Sequence, residues 1–306
     1  KSDTRLEPGQ IIRIPPMDKA SEQERAVARG EGRAYTPAEV KAGKGRLPSS
    51  GGEKRTEDTR AFLKSITLYE DAEMMVLNKP AGLAVQGGSG TVRHVDGMLE
   101  ALTDRNGVRP RLVHRLDKDT AGCLIVAKTR LAASTLAKSF RSRSARKVYW
   151  ALVAGVPRVK QGRISTYLAK GEDEHGDQKM KVARHGDDGA DHALTYYAVV
   201  ETSAQKLAWL SLKPVTGRTH QLRAHAAHIG HPIIGDPKYF DKQNWELPGG
   251  MQAKLHLLAR RIAIPHPKTG KVIDVTAPLP PHMQQSFNLL GLDVARYDPI
   301  EDAPEV

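Results

Sequence analysis

Residues 111–128 read Arg-Leu-Val-His-Arg-Leu-Asp-Lys-Asp-Thr-Ala-Gly-Cys-Leu-Ile-Val-Ala-Lys and place a charged loop between two apolar runs. The runs at 112–113 and 123–127 are short and contain β-branched residues, a pattern typical of buried strands. Six of the seven residues from His114 to Thr120 are polar. Strands hold such a loop in place, so its carboxylates and cations can form a functional site, although a solvated turn is the simpler interpretation.

Part of this loop also carries a family resemblance. His114-Arg115-Leu116-Asp117, followed by Thr120 and Gly122, resembles the H-R-L-D-x-x-T-S-G motif of the RluA family of pseudouridine synthases. The resemblance implies that Asp117 is the catalytic residue. Ala121 stands where the family usually has serine, which removes one hydroxyl and leaves the carboxylate in place.

The composition sets limits on the class of protein. With 306 residues, of which 39% are apolar, the chain can bury one sizeable core or two modest ones. No stretch approaches about 18 consecutive apolar residues and the first residues lack the apolar segment of a signal peptide, so we expect no membrane span and a cytoplasmic location. Cys123 is the only cysteine, which excludes an intramolecular disulfide and a cysteine-based zinc site and predicts a buried, inert thiol.

The net charge points to a polyanionic partner. Forty-seven Lys and Arg residues against 35 Asp and Glu give a formal charge of +12, which raises the local concentration of polyanions. Nucleic acid is the first candidate. A structural protein of the ribosome or an enzyme acting on phosphorylated metabolites could be equally basic, so specific residues must decide.

Four regions are predicted along the chain. Residues 1–16 contain one alternating strand and resemble the end of the alpha-L RNA-binding module that precedes the catalytic domain in many family members; we expect a remnant of that module. Residues 17–64 are rich in Glu, Lys, Arg, Gly, Ser and Pro and predict a flexible linker. Residues 65–292 form the compact, catalytic domain, and residues 293–306 form an acidic, disordered tail.

Patterning within the compact domain predicts an α+β fold. Because several strands follow one another without helices between them, we expect a mixed, mainly antiparallel sheet with flanking helices, which is also the architecture that the resemblance implies. The predicted elements are a hairpin at 66–69 and 74–78, helices at 96–104 and 131–140, strands at 148–155, 164–169, 179–183, 192–200 and 206–213, a helix from an N-cap at Thr219 to 229, a hairpin at 255–264 and 271–276, and a helix at 282–290.

Two further segments extend the resemblance. Lys79-Pro80-Ala81-Gly82 resembles the first family motif, although it could be only a turn, and the glycines at 86–90 lack both the P-loop and the dinucleotide-binding spacing. The strand Lys147-x-Tyr149-x-Ala151-Leu152-Val153-x-Gly155 is similar to the tyrosine motif, in which the ring packs on the target base. Without the resemblance, a strand tyrosine half in the core would be the default. The cations from Arg141 to Lys147 are suited to phosphate contacts.

The last motif lies around residue 220. The segment at 216–225, Thr-Gly-Arg-Thr-His-Gln-Leu-Arg-Ala-His, and Gly230-His231-Pro232-Ile233-Ile234-Gly235-Asp236 after it closely resemble the family's T-G-R-T-H-Q-L-R-x-H and G-x-P-I-x-G-D. His220 and Arg223 are three residues apart and share a helix face, so both can reach one loop. His225 and His228 have no thiolate or His-Glu-x-x-His partner, which argues against a metal site.

The resemblance assigns roles to these residues. Asp117, close to the ribose, either attacks covalently or takes a sugar proton, and a guanidinium must keep it ionised, Arg223 being the first choice and Arg218 the second. Tyr149 stacks on the flipped base and its hydroxyl can help to remove the C5 proton, while Leu222 lines the base pocket. The remaining RNA-binding residues are Arg115, which fills the space vacated in the RNA, and His114, Arg218, His220 and Lys147.

The expected function is therefore the isomerisation of uridine in large-subunit ribosomal RNA, as in the RluC branch, by a monomer without metal or cofactor. Two alternatives stay open. One is a non-catalytic RNA-binding or ribosome-assembly factor, which explains the charge but gives Asp117 no purpose. The other is a hydrolase that pairs Asp117 with His114 or His220, for which no third orienting residue is evident.

Overall fold

The computed structural model describes residues 50–88, 93–172, 178–240 and 247–302. The predicted remnant at 1–16 and most of the predicted linker, 17–49, lie outside the described residues. The elements in chain order are α1 Ser50–Ser65, β1 Thr67–Glu70, β2 Met74–Lys79, α2 Val95–Met98 with a 3₁₀ turn at Leu99–Leu102, β3 Arg111–Leu112, β4 Ala121–Ala127, α3 Arg130–Arg141, β5 Arg146–Ala154, β6 Gln161–Glu172, β7 Gln178–Ala183, β8 Asp191–Ser203, β9 Leu207–Pro214, α4 Gln221–His228, β10 Leu257–Pro265, β11 Val272–Thr276 and α5 Pro281–Leu290.

Eleven strands in the described part of the chain form one sheet in the order β1-β2-β4-β10-β5-β9-β8-β6-β7, with β3 paired to β4 and β11 to β10. The described pairings are antiparallel except that between β4 and β10. Gly122 lies at this parallel contact with φ +106°, and a Cβ there would come within 2.3 Å of the Ala259 carbonyl oxygen. Gly122, the glycine of the His-Arg-Leu-Asp motif, therefore lets β4 and β10 approach each other next to the charged loop.

Helices cover both faces of the sheet. On the front face, defined by Tyr149, Leu212 and Ile164, α4 packs through Leu222 and Ala226. On the back face, α3 and α5 pack against Trp150 and Trp209, whose rings are 4.5 Å apart. The predicted mixed, mainly antiparallel sheet with flanking helices is thus confirmed. Successive side chains of a strand point to opposite faces of the sheet, so both faces carry apolar residues, and helices cover them.

Helix α1 was not predicted. Residues 50–64 were assigned to the linker, yet Leu63 is only 1% exposed and packs with the buried Leu77 and Val95. The linker interpretation is therefore wrong for this part of the chain. The sequence pattern is weak because Phe62 and Leu63 are the only large apolar residues of a long, polar helix.

The C-terminal segment also differs from the prediction. Asp298 is 1% exposed and accepts a hydrogen bond of 2.7 Å from Trp150 Nε1. Glu301 pairs with Arg260 at 3.5 Å, and Arg146 donates to the Ile300 carbonyl oxygen. Disorder is therefore wrong for residues 293–302, because their acidic groups find donors on β5 and β10; residues 303–306 lie outside the described ranges.

Two further predictions concern Cys123 and the possibility of a membrane-spanning helix. Cys123 is buried within β4, and burial raises its pKa to about 12, which makes it an inert thiol as predicted. Among the described residues, no helix combines the length and apolar character needed to cross a membrane.

Candidate active site

A pocket of about 550 Å³ opens where the charged loop, the end of α3 and the β9–α4 connection meet. All the site residues predicted from the sequence line it: His114, Arg115, Asp117, Lys147, Tyr149, Arg218, His220, Leu222 and Arg223. Among the described residues of its wall, Asp117 alone carries a carboxylate, against the cations Arg115, Arg141, Arg143, Lys147, Arg218 and Arg223. An anionic ligand such as RNA is thus attracted to the pocket.

Arg223 links the pocket carboxylate to a second, buried one. Its Nη1 donates to Asp117 Oδ2 at 3.2 Å, while Nε and Nη2 donate to the two oxygens of Asp236 at 2.7 Å each. Burial alone would lower the pKa of Arg223, but the hydrogen bonds and charges of Asp236 and Asp117 outweigh it and raise the pKa. Arg223, the predicted first choice, is therefore the guanidinium beside Asp117.

This geometry makes Arg223 sensitive to replacement by lysine. An ammonium group cannot bridge two carboxylates in fixed directions as the planar guanidinium does. If Asp117 is the reacting group, we expect Arg223→Lys to lower the reaction rate about 100-fold, the effect of losing one positioned hydrogen-bond donor. Single-turnover assays check this, and an unimpaired variant would show that charge alone suffices.

Lys79 holds the loop that carries Asp117 in place through hydrogen bonds to backbone carbonyl groups. The Nζ of this fully buried lysine donates to the carbonyl oxygens of Pro80, Leu83 and Lys118 at 2.8–3.0 Å. Burial lowers its pKa to about 7, against the charges of Asp119 and Asp117, which raise it. The Lys-Pro-x-Gly segment therefore ties the loop to β2 instead of acting as a plain turn.

The start of α4 differs from the prediction. His220, and not Thr219, occupies the N-cap position, in a left-handed conformation with φ +50° and ψ +18°. Thr219 Oγ1 instead accepts a hydrogen bond of 3.1 Å from Arg115, which joins the charged loop to this helix. The unusual backbone brings His220 Nε2 to 3.9 Å from Asp117 Oδ2, so His220 and Arg223 do reach the same loop. Burial lowers the pKa of His220.

Tyr149 and Leu222 form the apolar wall of the pocket. Tyr149 projects from β5 and Leu222, which is 7% exposed, from the first turn of α4. Burial and the charge of Asp117 raise the pKa of Tyr149, so its hydroxyl stays protonated at neutral pH. A ring and an aliphatic side chain side by side are suited to a flat heterocycle.

His114 and Arg218 have other partners within the protein. His114 Nε2 accepts from the Ile125 N–H at 2.8 Å, its ring stacks on Phe140 at 4.4 Å, and burial next to Lys147 lowers its pKa to about 3. His114 is therefore a neutral ring held by contacts within the protein. Arg218 Nη1 pairs with Asp191 at 3.1 Å. Arg223, and not the second choice Arg218, is therefore the arginine that pairs with Asp117.

Three supporting residues were not assigned roles from the sequence: Lys79, Asp236 and Tyr239. Asp236 is inaccessible to solvent, and Tyr239 lies beneath Arg223 with the guanidinium carbon 5.3 Å from its ring centre. The sequence signals that could have indicated two of these roles were the Lys-Pro-x-Gly motif for Lys79 and the Gly-Asp motif for Asp236. In the described ranges, no three His, Cys, Asp or Glu side chains cluster as a metal ion requires.

Most of the motif residues lie in a segment of the chain that matches a family model. Residues 73–228 match the model described as RNA pseudouridylate synthase. The chain belongs to this family. The resemblance to RluA-family enzymes drawn from four motifs is thereby confirmed, and the protein is an RNA pseudouridine synthase, an isomerase whose substrate is RNA.

Individual relatives extend over most of the chain. It is 35% identical to ribosomal large subunit pseudouridine synthase C of Escherichia coli, over 91% of this chain and 78% of the relative. It is also 35% identical to RNA pseudouridine synthase 4, mitochondrial, of Arabidopsis thaliana, over 87% of this chain and 69% of the relative. A solved structure, human RNA pseudouridylate synthase domain containing 4, superposes with TM-score 0.65 and 26% identity over 79% of this chain and 99% of that one.

Proposed function

We propose that this synthase converts uridine to pseudouridine in large-subunit ribosomal RNA, with Asp117 as the catalytic residue and the target base flipped out of its stack. The observation that carries the proposal is the position of Asp117 in a cation-lined pocket, 3.2 Å from Arg223 and sharing the wall with Tyr149. The similarity to ribosomal large subunit pseudouridine synthase C supports the choice of RNA.

The chemistry requires few groups. The N-glycosidic bond breaks, the uracil turns, and its C5 joins the sugar while the C5 hydrogen leaves as a proton. Asp117 acts at the ribose, as a nucleophile or as a base, and both roles need the free carboxylate that Arg223 orients. Arg223 itself is held by Asp236, so Asp117 meets a donor whose direction is set before RNA binds.

Flipping the uridine costs a few kcal/mol, because the base leaves its stack. Stacking on an aromatic ring offsets about 1–3 kcal/mol of that cost, and Tyr149 supplies the ring. Arg141, Arg143 and Lys147 contact the phosphates around the target uridine, and Arg115 enters the space that the base leaves.

Release of tritium from large-subunit ribosomal RNA labelled at uridine C5 tests the proposal, because only isomerisation expels that hydrogen. We expect release from this RNA to be faster than from transfer RNA labelled in the same way. Equal or faster release from transfer RNA would exclude the ribosomal substrate, and no release from either RNA would exclude the mechanism.

Tyr149→Phe separates the ring from its hydroxyl. The variant keeps the stacking surface but cannot relay the C5 proton, so we expect RNA binding close to that of the native enzyme and tritium release slowed about 100-fold. Tyr149→Leu, the matched variant that removes the ring, should weaken binding as well. Full activity of Tyr149→Phe would restrict Tyr149 to stacking.

A further inference from the structure

A second cationic surface lies on the back face of the four outer strands, β9, β8, β6 and β7. We call it the outer-strand patch. Cross-strand pairing places its members side by side: Arg163 opposite Tyr196, Tyr196 opposite Lys213, Tyr167 opposite His192, Ala169 opposite Lys181 and Gly171 opposite Lys179. Directly paired side chains on one face of a sheet are about 5 Å apart, so these residues form one continuous surface.

The patch is strongly positive and accessible. Arg163, Lys181 and Lys213 are exposed and Lys179 is half-buried. Between these cations the face carries Ser165, Tyr167, Ala169, Gly171, Ala183, His192, Leu194 and Tyr196, and none of these eight residues has a carboxylate. Glu201, farther along β8 on the same face, pairs with Arg296 at 3.7 Å. A solvated sheet face usually mixes both signs of charge, so this one is suited to a polyanion.

Aromatic side chains lie between the cationic side chains of the patch. Tyr196 is 43% exposed and lies between Arg163 and Lys213 in one cross-strand row. Tyr167 forms a cluster with His185 and His192, whose ring centres are 5.0 Å and 5.5 Å from its own. Exposed rings beside cations are the arrangement that binds single-stranded nucleic acid, the rings taking bases and the cations phosphates.

The patch and the active-site pocket lie near the same end of β9, on opposite faces of the sheet. Leu212 pairs with Tyr149 on the front face, whereas Lys213, the next residue, points to the back face and immediately precedes the pocket residue Pro214. Arg218, another pocket residue, donates from Nε to the His192 carbonyl oxygen and from Nη1 to Asp191, at 3.1 Å in both cases. An RNA strand that leaves the pocket therefore reaches the patch around the ends of β8 and β9, where the charge of Asp191 is paired with Arg218.

We propose that the outer-strand patch binds the RNA that flanks the target uridine, with Arg163 and Lys213 on phosphates and Tyr196 under a base. The inference rests on the proposed function, because it takes the RNA in the pocket as the same molecule. It adds a binding surface that acts on recognition and not on the chemical step.

The test measures binding and turnover of one long ribosomal RNA fragment by the full chain. The Arg163→Ala/Lys213→Ala variant should reduce the slope of log Kd against log salt by about 1.4, since each lost phosphate contact on a single strand accounts for about 0.7. Tyr196→Ala should weaken binding at least about 5-fold, and Tyr196→Phe, which keeps a ring, should restore it. In both cases KM should rise while kcat changes little.

Two controls sharpen the result. Lys268→Ala/Lys271→Ala removes two exposed cations of the β10–β11 turn, outside the patch and the pocket, and should leave KM, kcat and the salt slope unchanged. RNA trimmed to the target nucleotide and its immediate neighbours should reduce the difference between native enzyme and patch variants.

The outcomes distinguish the two claims. A lack of tritium release by the native enzyme would contradict the proposed function. The binding data would still show whether the outer-strand patch binds RNA. Patch variants that bind the long RNA with native affinity and salt slope overturn the inference, as does an equal loss in the control variant, which would indicate a general effect of charge.

Discussion

The Asp117→Asn variant is expected to lose pseudouridine formation by at least about 1,000-fold while binding ribosomal RNA with native affinity. An amide nearly matches a carboxylate in size and can still accept from Arg223, so the pocket keeps its shape. It can neither attack the ribose nor take a proton from it, because it has no negative charge. Single-turnover tritium release, measured beside a binding titration, checks both halves of the expectation.

Asp119→Asn is the matched control for this prediction. Asp119 lies two residues away in the same loop, is half-buried, and does not line the pocket. The same chemical change at this position should leave tritium release within a few-fold of the native rate. Comparable losses in both variants would mean that the loop, and not the carboxylate at 117, had been disturbed, and a fully active Asp117→Asn would remove the catalytic assignment.

The sheet was readable from the sequence because its strands carry a local signal. The runs at 123–127 and 207–210 are apolar, and the strands from β5 to β9 are separated by polar turns, so both the strands and their antiparallel arrangement could be predicted. Segments that are held by single contacts had no such signal. Helix α1 depends on Leu63, and the C-terminal segment on Asp298 against Trp150, and neither contact repeats with a period.

The same distinction applies to the site. Asp117 and Arg223 are 106 residues apart, and only motif resemblance could bring them together before the fold was known. The residues behind them were missed because their function is to hold other polar groups. Lys79 bonds to backbone carbonyls and Asp236 to a guanidinium, which are contacts that depend on the tertiary structure. Thr219 was a reasonable N-cap by type, but its hydroxyl is used by Arg115.

The pair between Arg223 and Asp236 is the most exacting of these contacts. Arg223 is 4% exposed and Asp236 is inaccessible, and Asp236 also accepts from the backbone N–H groups of Lys238 and Tyr239. The Asp236 carboxylate thus accepts hydrogen bonds both from the Arg223 guanidinium and from the backbone of the turn that follows Ile233, a residue that forms a β-bridge. A buried charge that loses its partner keeps its desolvation cost without compensation.

Asp236→Asn should therefore lower the free energy of unfolding by about 3 kcal/mol, since it breaks one side of a buried ion pair. The solvent-accessible pair of Arg261 and Asp274 provides the control. It has similar bidentate geometry, with distances of 2.7 Å and 2.5 Å, but its side chains are 25% and 37% exposed. Asp274→Asn should cost about 1 kcal/mol or less. Urea unfolding of both variants measures the difference, and equal costs would contradict it.

Stability and catalysis can then be separated at the same pair. Replacing both partners, as Arg223→Met/Asp236→Leu, removes two buried charges together and should recover much of the stability lost by Asp236→Asn, because apolar side chains of similar volume often substitute for a buried ion pair without loss. Turnover should not recover, since Asp117 then has no guanidinium beside it. Recovery of tritium release in this double variant would mean that the pair serves only the fold, and that the orientation of Asp117 has another source.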